Sequence, residues 1–151
     1  MKKRMVIFFI CVPFLLLLGM NVPQKLTISH IEITAKGQVL IYKVNLSAVD
    51  GSKVESQFDY QGNHIHGFEL AVKPSESLAK HMEMNTKSKL MKMCPKRSGG
   101  SMASNGGWNL EVQYYIKEES NQKKVEKLAR KESTLYIFDG TDKIIEHSLK
   151  D

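Results

Sequence analysis

A run of uncharged, mostly apolar residues at the start of the chain sets the first limit on its fold. A short cationic stretch opens the sequence, and no charged side chain then occurs before Lys25. A cationic start, an apolar core and a polar flank are the layout of an export signal. As a helix, residues 5–24 would span about 30 Å, the thickness of the hydrocarbon core of a bilayer. The sequence therefore predicts a signal-anchor at residues 1–24 and a single domain formed by residues 25–151.

The cations that open the chain, Lys2, Lys3 and Arg4, predict how this segment is oriented. Positive charge is retained on the cytoplasmic side of a membrane, so we expect the domain that follows to lie outside. Signal peptidase requires small residues at its cleavage site, and residues 17–23 offer only Gly19. We therefore expect an uncleaved, single-pass anchor in the cell membrane. A cleaved signal peptide and a secreted domain are the alternative.

The charge balance argues against a nucleic-acid partner. The chain has 22 Lys and Arg residues against 16 Asp and Glu residues, a net charge of +6, and three of those cations precede the apolar segment. The remainder carries a net charge of about +3, which is ordinary for a small domain, whereas nucleic-acid binders concentrate more positive charge. We expect no nucleic-acid partner and no cofactor. A cationic start and an apolar segment followed by a small domain are typical of a bacterial envelope protein.

Apolar residues that alternate with polar ones predict a domain made mainly of antiparallel sheet. The clearest run is Gln38–Ala48, where every second side chain is apolar. Residues 26–34 alternate in the same way but slip phase once, as they would at a β-bulge. Residues 54–60 and 68–72 are predicted to be the third and fourth strands of a meander.

The middle of the chain is predicted to form a helix followed by an irregular loop. Ser75 is a suitable N-cap, because its hydroxyl can accept a hydrogen bond from the first helical turn. Residues 76–93 are rich in Leu, Met, Lys and Glu, which favour helices. Residues 94–107 contain a proline and four glycines, so we expect a flexible loop there.

The last third of the chain is predicted to hold a strand, a helix and a hairpin. Residues 110–116 alternate, and residues 118–131 are charged with a narrow apolar stripe. Asp139-Gly140 then joins two alternating runs, as in a hairpin turn. After the anchor helix, the order β-β-β-β-α-β-α-β-β predicts a small α+β domain of mainly antiparallel sheet with two helices.

An uneven distribution of charge gives a first candidate binding surface. Residues 80–97 carry six cations and one acid, Glu83. Beside a membrane, such a run could contact anionic lipid headgroups or an anionic envelope polymer, with a gain of about 1 kcal/mol per cation at a charged membrane. A solvated helix face is the alternative. The six cations are Lys80, Lys87, Lys89, Lys92, Lys96 and Arg97.

Two histidines give a candidate metal site. His64 and His66 alternate, so an extended backbone would place both imidazoles on the same side. Asp59 or Glu69 could join them, although a closed site needs three or four ligands and the spacing dictates no third. A polar loop in which two histidines alternate is the simpler interpretation.

Two further residues are singled out by their chemistry. Cys94 is the only thiol after the apolar segment, and its neighbours Lys92, Lys96 and Arg97 would favour its thiolate. No flanking signature of a catalytic cysteine accompanies it, so we expect a free or partly buried thiol. Trp108, the only tryptophan of the chain, is expected to anchor the core.

These features together predict a membrane-anchored, extracytoplasmic domain that binds a partner, either an envelope protein or an anionic polymer. A secreted or tethered hydrolase, whose site residues the sequence does not identify, is the alternative from a different class. A metal-binding module centred on His64 and His66 is a further alternative.

Overall fold

The structure, a computed structural model, describes residues 24–58, 67–85 and 92–150. Within these ranges the chain forms a small domain that is mostly antiparallel sheet with two helices, which confirms the predicted α+β class. The segment predicted as an anchor lies, apart from Gln24, outside the described residues. No helix in the described ranges combines the length and the apolar character needed to cross a bilayer. In chain order the elements are β1 (Leu26–Lys36), β2 (Val39–Ala48), β3 (Phe68–Lys73), α1 (Glu76–Ala79), β4 (Met84–Asn85), β5 (Lys92–Met93), β6 (Pro95–Met102), β7 (Trp108–Tyr115), α2 (Gln122–Glu132), β8 (Thr134–Asp139) and β9 (Asp142–Ser148).

The longer strands form two antiparallel sheets that share one apolar core. Sheet A has the order β1-β2-β7-β6, and sheet B has the order β3-β8-β9. β4 and β5 pair with each other as a two-residue ribbon. The core contains side chains from both sheets and both helices, and its largest fully buried members are Tyr42, Leu40, Leu46, Leu78, Met82, Met93, Leu110, Leu135 and Ile137.

The first hairpin follows directly from the alternating sequence. β2 buries Leu40 and every second residue after it, which leaves Lys43 and Asn45 on the outer face of sheet A. β1 pairs with β2 and changes register between Ile28 and His30, which confirms the predicted bulge.

The predicted four-stranded meander is wrong, because the second neighbour of β2 is β7. Residues 52–57 form no regular strand, although Val54 is buried. The backbone of this segment is hydrogen-bonded elsewhere: the Val54 N–H donates to the Gly106 carbonyl at 2.8 Å, and the Gln57 N–H donates to the Asp139 carboxylate at 2.7 Å. The rest of the predicted third strand, residues 59 and 60, lies outside the described residues.

The predicted long helix is also wrong at residues 80–85 and 92–93, and residues 86–91 lie outside the described residues. Ser75 caps α1 as expected, with its hydroxyl accepting from the Leu78 N–H at 3.1 Å, but α1 ends at Ala79. The chain then turns, and Met82 bridges to Ile116 at the end of sheet A. Met82 and Met93 are both fully buried in the described parts of this segment, where packing overrides helix propensity.

The second helix begins about one turn later than the sequence predicted. The Asn121 side chain accepts from the Lys124 N–H at 3.1 Å and caps α2, while the preceding residues form a turn. Val125 and Ala129 are fully buried, and Leu128 packs against the core from a partly buried position. The predicted apolar stripe is therefore confirmed.

α2 covers the outer edge of β1 with a pair of charged side chains. The Ala35 N–H donates to the Glu126 carboxylate at 3.0 Å, and the Arg130 guanidinium donates to the Ile33 carbonyl. Glu126 and Arg130 also form an ion pair at 3.0 Å. These side chains occupy backbone groups that a free strand edge would offer to another chain.

This contact predicts a specific loss of stability in acid. The hydrogen bond from the Ala35 N–H, assisted by Arg130, holds the pKa of Glu126 below its ordinary value of 4.5. A lowered folded-state pKa gives stability that is present above the unfolded-state value and is lost as the pH falls through the folded-state value. We expect the free energy of unfolding to fall below about pH 4.5, and to fall less in Glu126→Gln, when urea unfolding is followed against pH. Glu119→Gln, on the exposed turn before α2, is the matched control; identical pH slopes for all three proteins would contradict the role of Glu126.

Candidate functional site

The flexible loop predicted over residues 94–107 is instead the outer strand of sheet A and its hairpin turn. β6 pairs with β7 along its whole length, with Gly99 opposite Glu111. β7 already pairs with β2 on its other side, and a buried central strand needs hydrogen-bond partners on both sides. β6 supplies them despite its Gly- and Ser-rich sequence, because strand propensity depends strongly on context. The Ala103 N–H then closes the turn on the Gly107 carbonyl at 2.8 Å.

β6 presents an open edge to the surface. All eight of its residues are exposed, and it is the last strand of sheet A. Within the part of the chain that the structure describes, its backbone pairs only with β7. In an antiparallel pair, alternate residues point their N–H and C=O groups away from the partner strand, so the free side of β6 carries a row of hydrogen-bonding groups.

The other sheet edges among the described residues carry protective features that most of β6 lacks. Two backbone groups of β1, at Ile33 and Ala35, are capped by α2, and the Val72 N–H of β3 donates to the Tyr114 hydroxyl at 3.0 Å. β9 carries charged side chains, which discourage edge-to-edge pairing. β6 is protected only where it begins, by Pro95 and a bulge at the next residue. The open part of the edge is therefore residues 98–102.

A polar depression of about 520 Å³ lies beside β6 on the outer face of sheet A. Gly99 has no side chain to fill the space between its same-face neighbours Arg97 and Ser101, and a Cβ built there meets nothing within 4 Å. The Glu111 carboxylate, opposite Gly99, accepts from the Gln113 side chain at 2.7 Å. The depression is lined by Lys43, Asn45, Arg97, Gly99, Gly100, Ser101, Asn109, Leu110 and Glu111.

A second depression, of about 480 Å³, lies on the other side of β6, towards β3. Its apolar part includes Met102, which is 50% exposed, and the partly buried ring of Trp108. The Trp108 indole packs edge-on against Phe68 with ring centroids 5.5 Å apart, and its N–H donates to the Val54 carbonyl at 3.2 Å. Trp108 thus contacts the core, as predicted, and also lines this surface depression.

A third depression, of about 780 Å³, lies near the end of β3 and the C-terminus of α2. Lys73, Lys131 and Lys150 line it together with the carboxylates of Glu76 and Glu132. Glu132 already accepts from the Ser75 hydroxyl at 2.7 Å. Its mixed charges do not select one class of ligand.

The described members of the basic run predicted over residues 80–97 belong to different elements. Lys80 is the C-cap of α1, whereas Lys96 and Arg97 lie at the start of β6, and Lys92 lies in β5. Arg97 takes part in none of the ion pairs found among the described residues. Arg97 also lines the polar depression, so it is the predicted cation that the fold brings to the candidate site. Lys87 and Lys89 lie outside the described residues, as do Lys2, Lys3 and Arg4.

The predicted metal ligands His64 and His66 lie outside the described residues. Within the described ranges, no group of three His, Cys, Asp or Glu side chains is placed to hold a metal ion. Glu69, the possible extra ligand that is described, is exposed on β3.

Cys94 is a free, partly buried thiol, as predicted. It lies between β5 and β6, where its backbone N–H donates to the Glu83 carbonyl at 2.7 Å. The imidazole Nδ1 of His81 lies 3.2 Å from the Ser120 hydroxyl. The hydrogen bonds found among the described residues do not join this imidazole to the thiol.

Comparison with known proteins gives no family assignment: no family model, no curated protein and no solved structure matches this chain. We therefore infer its function from the chain's own residues.

Sequence reasoning missed the residues that shape the site. It interpreted Gly99, Gly100 and Ser101 as a linker, and it did not consider Lys43 or Glu111 as site residues. One signal could have identified the hairpin: Asn105-Gly106 stands between two extended runs, and Asn-Gly in that place is a strong hairpin indicator.

Proposed function

We propose that this chain is a membrane-anchored binding domain whose edge strand β6 contacts a protein partner outside the cytoplasm. The observation that carries the proposal is the exposure of all eight residues of β6, whereas β1 is capped at Ile33 and Ala35, β3 is capped at Val72 and β9 carries charged side chains. Strand edges are rarely left open unless something pairs with them, because an open edge invites aggregation.

The N-terminal sequence supports the location. Lys2, Lys3 and Arg4 precede an uncharged segment long enough to cross a bilayer as a helix. In this proposal the segment holds the chain in the cell membrane with the domain outside. A secreted form released by cleavage is the alternative.

The fold favours a protein partner over an anionic lipid or polymer surface. Lys80 and Arg97 belong to different elements, so these two described cations do not lie on one helix face. The polar depression beside β6 combines the cations Lys43 and Arg97 with an acid, Glu111, and with amide and hydroxyl groups. Such a mixture suits the varied side chains of a protein.

Site-specific photo-cross-linking tests this proposal. The full-length chain, with a photoreactive amino acid at Ser101 or at the matched exposed position Lys36 on β1, is expressed in intact cells. We expect protein adducts from Ser101 and few from Lys36, all in the membrane fraction, with the domain accessible to protease added outside. Equal adducts at the two positions, or a domain protected from external protease, would refute the proposal.

A further inference from the structure

We infer that the partner binds by adding an extended strand to the free edge of β6, and that this strand carries acidic side chains alternating with apolar ones. This inference rests on the proposed binding function and specifies its chemistry. Strand addition derives affinity from main-chain hydrogen bonds and specificity from pockets that receive alternate side chains. β6 offers both elements of that mode.

The open part of β6 supplies the main-chain contacts. From Ser98 to Met102 the strand is regularly paired with β7, so its outward N–H and C=O groups are held at the spacing of a sheet. Serine has a small side chain and glycine has none, so neither residue screens these groups from an incoming backbone. At Gly100, a Cβ would come within 2.9 Å of the Leu110 side chain and 3.5 Å of the Phe68 carbonyl, which shows how closely β6 packs here.

The two depressions beside β6 supply the alternating pockets. Successive side chains of a strand point to opposite faces of its sheet. An added strand would therefore direct them in turn to the polar depression on the outer face of sheet A (the outer depression) and to the depression towards β3 (the inner depression). The outer depression is polar and contains Arg97, whereas the inner one presents Met102 and Trp108. A single extended segment can therefore use both.

Charge complementarity makes the outward side chains of the partner acidic. The Arg97 guanidinium is exposed and has no counter-ion among the described residues, and Lys96 stands beside it on the bulge. Lys43, the other cation that lines the polar depression, is already paired with Glu32 at 3.8 Å, and the Glu111 carboxylate in its lining accepts from Gln113. A carboxylate on the added strand would give Arg97 the planar acceptor that guanidinium groups prefer.

The side chains of the partner strand that face β3 are inferred to be apolar, because the inner depression presents apolar side chains to them. Met102 is half exposed, and the Trp108 ring is covered on one side by Phe68. Burial of apolar surface against them is favourable at about 25 cal/mol per Å². The partner segment is thus acidic on one face and apolar on the other.

Trp108 makes the binding measurable without a label. It is the only tryptophan of the chain, and it lines the inner depression. The probe is a short peptide of alternating glutamate and valine, added to the full-length chain in detergent micelles. We expect saturable binding with a blue shift of the Trp108 emission, because a valine would displace water from the ring.

Two control peptides separate strand addition from general attraction. The first has the same sequence with alternate backbone nitrogens methylated, which removes the donors along one edge and keeps the charge. The second replaces glutamate with lysine. We expect neither to bind measurably, and equal binding by the methylated peptide would show that no strand is added.

A matched pair of charge-reversal variants tests the acidic face. Arg97→Glu is expected to weaken binding of the glutamate–valine peptide about tenfold or more, which corresponds to about 1.4 kcal/mol. Lys36→Glu, three strands away on β1, makes the same change in net charge and is expected to leave binding unchanged. If both variants weaken binding equally, the effect comes from the net charge of the domain, and Arg97 does not contact the glutamates of the peptide.

The outcomes distinguish this inference from the proposed function. If Ser101 forms protein adducts in cells but the glutamate–valine peptide does not bind, β6 is a contact surface without strand addition, and the inference fails alone. If sedimentation shows that the chain pairs with itself and the peptide does not dissociate the pair, the edge is occupied by a second copy and the inference is overturned. If Ser101 gives no more adducts than Lys36, the proposed function fails as well.

Discussion

Replacing Asp139 with alanine is expected to destabilise the domain by about 3–4 kcal/mol. The Asp139 side chain is 3% exposed, and its carboxylate accepts from the Ser56 hydroxyl at 2.5 Å, the Gln57 N–H at 2.7 Å and the Phe58 N–H at 3.2 Å. A hydrogen bond to a charged group contributes roughly 1.5–3 kcal/mol, and relaxation of the segment recovers part of that sum. Asp139→Ala removes the acceptor shared by these three donors, although the Phe58 N–H keeps its contact with the Ser56 hydroxyl at 3.3 Å. Equilibrium urea unfolding measures the difference.

Asp142→Ala is the matched control, because Asp142 faces Asp139 across the same hairpin and is exposed. Its replacement is expected to change stability by less than about 0.5 kcal/mol. Asp139→Asn should fall between the two, since an amide keeps one acceptor oxygen and loses the other. If Asp139→Ala is as stable as Asp142→Ala, the carboxylate does not anchor residues 56–58.

Asp139 also shows why the sequence predicted local structure better than long-range pairing. The alternation of apolar and polar residues identified β2, β3 and the β8–β9 hairpin. A strand that buries one face has an apolar side chain at every second position, so its own sequence shows the pattern. The segment around Val54 also has buried and exposed positions. Its backbone partners, however, are Asp139 and Gly106, which are distant in sequence, so no local pattern could separate it from a strand.

Helix propensity failed at residues 80–85 and 92–93 for a related reason. Leucine, methionine and lysine favour a helix in isolation, but propensity is worth less than 1 kcal/mol per residue. Full burial of a methionine side chain is worth roughly 1.5–3 kcal/mol, and Met82 and Met93 are both fully buried. Two buried methionines therefore outweigh the local preference.

The candidate site was less predictable than the fold. The sequence drew attention to Arg97 as one cation among six, whereas the structure gives it a place beside Gly99 and Glu111. What defines the site is which strand stands at the edge of sheet A, and that depends on β7 pairing with both β2 and β6. The position of a strand at the edge depends on the pairing of the whole sheet, so the eight residues of β6 alone do not predict it.

Two buried tyrosines, Tyr42 and Tyr114, link sheet A to the rest of the core. Their rings meet edge-on with centroids 6.2 Å apart. The Tyr42 hydroxyl lies 2.7 Å from the Ser133 hydroxyl, and the Tyr114 hydroxyl accepts from the Val72 N–H of β3. Both phenols must stay protonated to remain where they are, because the charged phenolate is costly to bury.

We therefore expect the domain to unfold in alkali. Burial raises the pKa of Tyr114 from 10.0 to about 12, and burial raises the pKa of Tyr42 further. A raised folded-state pKa gives stability that is fully present below the unfolded-state value and is lost as the pH rises through the folded-state value. From about pH 10 to about pH 12, Tyr114 alone should remove on the order of 3 kcal/mol of unfolding free energy, and Tyr42 should remove more.

Tyr114→Phe separates the phenol's titration from its hydrogen bond. At neutral pH the variant should be about 1–3 kcal/mol less stable, because the buried Val72 N–H loses its acceptor. Between pH 10 and 12 it should lose less stability than the parent, so the two curves of unfolding free energy against pH converge. Tyr115→Phe, at an exposed position on the same strand, should follow the parent throughout. Parallel curves for the parent and Tyr114→Phe would mean that burial of Tyr114 does not govern the alkaline limit of the fold.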